Sequence, residues 1–120
     1  MLKKPDALHL TKKNKILPFE DPSPLEFLSS SNDCSLFAFA SHSKKRPNNL
    51  ILGRMFDHHV LDMLEIGVEN FRSLSDFKGD SSSIGNKPCF IFIGEEFDQK
   101  EEFKKLANLL LGTRSLFFFN

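Results

Sequence analysis

Apolar residues along this chain fall into short, well-separated runs, and most runs have a readable period. Ser35–Ala40 reads as a strand, with Phe37 and Phe39 on one face and Leu36, Ala38 and Ala40 on the other. Apolar side chains on both faces suit a central strand covered from two sides. Ser41–Asn49 is polar and basic, and Pro47 keeps helix from starting before it. From Leu50 the spacing becomes three and four. Leu52, Met55, Phe56, Val60 and Met63 form a stripe, with Arg54, Asp57, His58, Asp62 and Glu65 on the other side. This predicts an amphipathic helix that Gly67 terminates.

Val68–Leu74 reads as a second strand and residues 75–87, rich in Gly and Ser, as a flexible connection. Cys89–Ile93 is continuously apolar between Pro88 and Gly94, which predicts a buried strand. Asp98 with Glu101 resembles a capping box; Phe103, Leu106, Ala107 and Leu110 make the stripe of a helix that Gly112 ends. Upstream, residues 1–20 have no apolar period and read as an extended arm whose Ile16, Leu17 and Phe19 dock locally. Asp21-Pro22-Ser23-Pro24 opens a short helix carrying Leu25, Phe27 and Leu28 as far as the Ser29–Ser31 break. Strands alternating with helices predict an α/β fold, a small layered and largely parallel sheet with flanking helices.

Length and charge narrow the picture. The 120 residues are enough for one domain, and no apolar run approaches the ~18 residues of a membrane span. Met1–Asp6 is charged without an apolar stretch behind it, unlike a secretory signal. Cys34 and Cys89 form neither a disulfide framework nor metal-site spacing, and suit a reducing compartment. The net charge of zero hides an asymmetry, because residues 1–54 carry nine Lys/Arg against five acids and residues 55–120 seven against eleven. The cations cluster at 3–15 and at 44–46. A polyanion-facing surface and a plain solvated loop with a lysine-rich tail are both open readings of such clusters.

Catalytic chemistry finds little support. The glycines are isolated, so no phosphate-cradling loop is present. His58 and His59, read on a helix, diverge by about a hundred degrees and share no metal. Cys34 beside Asp33 in strand context is a poor thiolate. Glu95-Glu96 and Glu101-Glu102 read as solvated helix-entry charges, and nothing forms a triad. The sequence reads as a non-enzyme with no cofactor and no metal. The loop Ser41–Asn49 is different. Read as joining the carboxyl end of a strand to a helix N-terminus, it has the geometry that favours phosphate. Lys44, Lys45, Arg46, Asn48 and Asn49, with Arg54 one turn further on, are the candidate phosphate-contacting residues, and the resemblance given next implies that the phosphates are those of RNA.

Three stretches closely resemble the Brix-domain family. They are Cys34–Phe37, the run Ser41–Asp57 with Lys44-Lys45-Arg46-Pro47-Asn48-Asn49-Leu50 inside it, and His59–Glu65 with Gly67. Lys12-Lys13-Asn14, Pro18–Asp21, Leu25-Glu26-Phe27 and Lys87-Pro88 also fit, so the resemblance covers roughly residues 5–111. It implies a nucleolar assembly factor of the large ribosomal subunit that binds rRNA and does not touch membranes. The implied partners are the regulator of ribosome synthesis protein, 5S and large-subunit rRNA, and the ribosomal proteins of the 5S ribonucleoprotein. The implied fold is one of two similar halves, each resembling a tRNA-synthetase anticodon-binding domain. Residues 1–31 are then a basic extension with a short helix, 32–112 the first half, and 113–120 a divergent apolar tail. A truncated isoform that keeps partial protein–protein contacts without RNA delivery is the alternative.

Overall fold

The computed structural model describes residues 7–13, 15–79, 89–112 and 116–119. Its centre is the strand expected from Phe37 and Phe39, β2 (Leu36–Ser41), and both faces are indeed covered. Phe37 is 1% exposed, and with Phe39, Ile51 and Met55 it packs on Leu25 and Ile16. Ala38 and Leu52 point the other way, against Leu109, with Leu50, Ile66 and Leu106 around them. Burying a side chain the size of Phe37 contributes about 1.5–3 kcal/mol before entropy is counted.

The sheet contains β1 (Ala7–Leu10), β2, β3 (Asn49–Phe56), β4 (His59–Gly67) and β5 (Leu116–Phe119), in the order β1-β5-β2-β3-β4. The expectation of a largely parallel sheet is corrected. β2, β3 and β4 form an antiparallel meander, and parallel pairing is confined to β1 with β5 and β5 with β2.

The largest departure lies at residues 50–67, where the expected helix is the β3–β4 hairpin. Asp57 and His58 form its two-residue turn, both with positive φ (51° and 61°), the conformation that matches strand twist. Both faces of β3 are buried, so Ile51 and Met55 serve one side while Leu50 and Leu52 serve the other. The period of two is erased, and a spacing of three and four appears by coincidence. Leu61 is the extra residue of a bulge, since Arg54 pairs with Asp62 and Met55 with Val60.

Val68–Leu74 is not a strand. Val68 donates its N–H to the Asn48 carbonyl (2.9 Å), Asn70 turns the chain with φ 52°, and a single 3-10 turn occupies Leu74–Asp76. Cys89–Ile93 forms no strand and pairs with none among the described residues, and Ile91 and Ile93 are exposed rather than buried. Its rings instead lead from one to the next: Phe90 stacks on Phe92, Phe92 meets Phe97, and Phe97 meets Phe103 edge-on. Most of the connection expected at 75–87 lies outside the described residues.

The helices follow their predicted signals more closely. The first, α1 (Ser23–Asn32), begins where Asp21 Oδ1 accepts the Ser23 N–H (3.0 Å). It runs through the expected serine break because Ser29 is buried inside it, its hydroxyl donating to the Cys34 carbonyl (2.6 Å). Asp33 ends the helix in the left-handed conformation. Near the other end the expected capping box is corrected: Asp98 lies inside a short α2 (Glu96–Gln99), and α3 (Glu101–Leu111) starts after Lys100 with no side-chain cap, ends at Gly112 and covers the second sheet face with Leu109.

Candidate nucleic-acid interface

The loop between β2 and β3 carries the candidate residues. Ser43 and Arg46 close it: the Ser43 N–H donates to the Arg46 carbonyl, and the Arg46 N–H to Ser43 Oγ, both at 3.1 Å. Lys44 and Lys45 therefore sit at the tip of a tight turn, exposed, and without an acidic partner among the described residues. Asn48 donates its N–H to His42 Nδ1 (3.2 Å) and has φ 48°. Two exposed ammonium groups on such a turn can attract phosphate, a contact that carries little base information.

The helix N-terminus expected at the end of this loop is absent, because Asn49 opens a strand. The helix dipole and its free N–H groups therefore play no part in the attraction. The structure also separates the six predicted residues. The Arg46 guanidinium is shared with Glu65, whose two oxygens lie 2.5 and 2.6 Å from Nη1. Asn49 is buried, its amide donating to Glu65 Oε1 (2.8 Å) and to Ser41 Oγ (3.4 Å). Arg54 lies five strand residues from Asn49, about 17 Å away at ~3.4 Å per residue. There it forms a two-pronged pair with Asp62 across the hairpin, Nε to Oδ1 at 3.0 Å and Nη2 to Oδ2. The Asp62 hydrogen bonds raise the Arg54 pKa above its ordinary value. Lys44, Lys45 and Asn48 are thus the exposed polar members, Arg46 is partly neutralised, and Asn49 and Arg54 are tied into the sheet.

Residues that the spacing did not suggest complete this end of the molecule. The return of Val68 to Asn48 brings Asn70 and Phe71 beside the loop. Between them and the β2–β3 ends lies an open depression of about 650 Å³, with His42, Asn48, Asn70 and Phe71 on its wall and Ala40 and Leu50 at its base. A second hollow of about 380 Å³ lies among Phe19, His42, Arg46 and Glu65. The signal in sequence was an aromatic residue in a polar setting, Glu69-Asn70-Phe71-Arg72.

Neither His58 in the β3–β4 turn nor His59 at the start of β4 is placed for metal. His58 Nδ1 lies 3.1 Å from Ser29 Oγ, and His59 Nδ1 lies 3.3 Å from Glu26 Oε2. Among the described residues no group of three His, Cys, Asp or Glu side chains could hold an ion. Cys34 and His58 share a small hollow, but the thiol donates to the Asn32 carbonyl at 3.2 Å. Glu26 Oε1 accepts the Val60 N–H (3.0 Å), and this bond, with His59 adding to it, holds the carboxyl below its usual range.

Comparison with known proteins decides the family, because residues 1–117 match the Brix domain. The chain belongs to the Brix-domain family. The ribosome production factor 2 homolog of Homo sapiens is 54% identical over 110 residues, covering 92% of this chain and 36% of its own length. The Mus musculus homolog is 56% identical over the same extent. The ribosome biogenesis protein RPF2 of Saccharomyces cerevisiae is 48% identical over 111 residues, covering 92% of this chain and 32% of its own. The chain thus spans about a third of the length of the curated relatives it matches.

Proposed function

We propose that this chain works in ribosome biogenesis as an rRNA-binding assembly module of the large subunit. On this reading it acts in the nucleolus, helps bring the 5S ribonucleoprotein to the precursor particle, and contacts the regulator of ribosome synthesis protein. It supports rRNA maturation by binding and performs no catalysis. The names of its relatives, as ribosome production and biogenesis proteins, support the process. The observation that carries the RNA contact is the Lys44–Lys45 tip, whose cations have no acidic partner among the described residues while Arg46 and Arg54 do.

A filter-binding titration against 5S rRNA tests this reading. Lys44→Ala and Lys45→Ala should each lower the slope of log affinity against log salt by about 0.7–0.9, one phosphate contact apiece. Arg46→Ala should lower it less, because Glu65 already occupies that guanidinium. An unchanged slope in the double lysine variant removes the loop from the RNA interface.

A further inference from the structure

Two exposed aromatic rings flank the basic loop, and their surroundings differ in charge. Phe19 shares its hollow with Glu20 and with Glu65, so a phosphate chain there meets carboxylates. Phe71 is 79% exposed, and among the described residues no carboxylate lines its depression. Asn48 and Asn70 line it instead, and the side-chain amide of neither is hydrogen-bonded within the described residues. A free amide offers both a donor and an acceptor, the pair that reads a base edge. Both asparagines have positive φ, a conformation that asparagine adopts more readily than most residues. Arg72 follows Phe71, is exposed, and has no acidic partner among the described residues. At about 650 Å³ the depression lies within the usual range for small-ligand pockets, and a nucleobase enters easily.

We infer that this depression receives an unpaired base of single-stranded RNA, stacked on Phe71 with its edge against Asn48 and Asn70. The flanking phosphates then meet Lys44 and Lys45 on one side and Arg72 on the other. The assignment rests on the RNA-binding reading above and goes further, from backbone contact to capture of an unstacked base. Stacking on an aromatic ring beside a cationic track is how proteins hold single-stranded segments without reading a duplex groove.

The test uses the full chain and a ten-nucleotide oligouridylate carrying one central 2-aminopurine. The protein has no Trp or Tyr, so the emission comes from the probe alone. The wild type should quench the probe on binding. Phe71→Ala should weaken binding about 5- to 150-fold, the equivalent of one base–aromatic stack, with the quench lost and the salt slope kept. An abasic probe should lose the same factor with the wild type and nothing further with Phe71→Ala. Lys44→Ala with Lys45→Ala should do the reverse, lowering the slope and keeping the quench at saturation. Because Phe71 is exposed, its variant should melt with the wild type, which separates lost stacking from lost folding. RNA binding that is equally tight and equally quenched in Phe71→Ala overturns the base site, leaves the lysine contact standing, and assigns the ring to a protein contact. A wild type that binds no RNA overturns both readings.

Discussion

Gly53 is the position where one added methyl should do the most damage. It pairs with Phe37 across β2 and β3, and the Phe37 ring lies directly over it. A Cβ at Gly53 would come 2.3 Å from Phe37 Cζ, 2.4 Å from Cε1 and 3.0 Å from the Asp62 carbonyl oxygen. The ring is held by Leu25, Ile51 and Met55, so it cannot swing away without disturbing the buried cluster. Overpacking of this kind costs about 1–3 kcal/mol. Replacing glycine also stiffens the unfolded chain, which returns about 0.4–1 kcal/mol. Gly53→Ala should therefore lose about 1–2 kcal/mol net, a fall in Tm of roughly 3–10 °C for a chain of this size. Phe37→Leu removes the offending atoms and should itself cost about 1–2 kcal/mol. In the double variant the two losses should not add, because the leucine makes room for the methyl. The assay is thermal melting by far-ultraviolet circular dichroism, run as a double-mutant cycle. Additivity within about 0.5 kcal/mol, or a Gly53→Ala protein as stable as the parent, would refute the steric argument.

Two further outcomes concern the β3–β4 turn. Ser29 has one hydroxyl proton and gives it to the Cys34 carbonyl, so His58 must carry its own proton on Nδ1 to donate back to Ser29 Oγ. Nitrogen-15 spectra should show that tautomer; Ser29→Ala should release it and cost about 1–3 kcal/mol, and an Nε2–H ring in the wild type refutes the network. Glu26 titrates below the ordinary carboxylate value when folded, so its stabilisation is full above that value and lost as pH falls through the lower folded one. Tm profiles of the wild type and Glu26→Gln should therefore converge as pH falls below the ordinary carboxylate value of 4.5, and parallel profiles refute the assignment.

The central strand was legible because Phe37 and Phe39 alternate with small apolar residues, a pattern no helix produces. The hairpin behind it was not. Its turn is Asp57-His58 rather than a glycine pair, and the burial of both faces of β3 removed the alternation that marks a strand. Cys89–Ile93 shows a different limit. Apolar composition records a preference for burial, and a covering element has to come from elsewhere in the fold. At the interface, Lys44 and Lys45 were legible because charge without a local partner tends to remain exposed. Arg46 and Arg54 misled because Glu65 and Asp62 are distant in sequence and adjacent only once the strands pair. The candidate base site was hidden for the same reason, since Phe71 reaches the loop through the Val68–Asn48 hydrogen bond.

The placement of β5 between β1 and β2 sets an order of assembly. Residues 42–48 close the β2–β3 hairpin and Asp57-His58 close the next, so the meander can form as soon as residue 67 is available. Once the meander stands, bringing β5 beside β2 means looping residues 68–115, roughly seven times as many, which costs about 1.7 kcal/mol more in closure entropy. Among the described residues β1 pairs only with β5, so it waits as well, although it precedes the other strands in the chain. During synthesis at about 5–20 residues per second, the open edge of β2 therefore persists for seconds. It is an apolar strand with unpaired N–H and C=O groups, the surface that most readily recruits another chain. A chaperone that holds this chain while it is being made would be expected to hold it there.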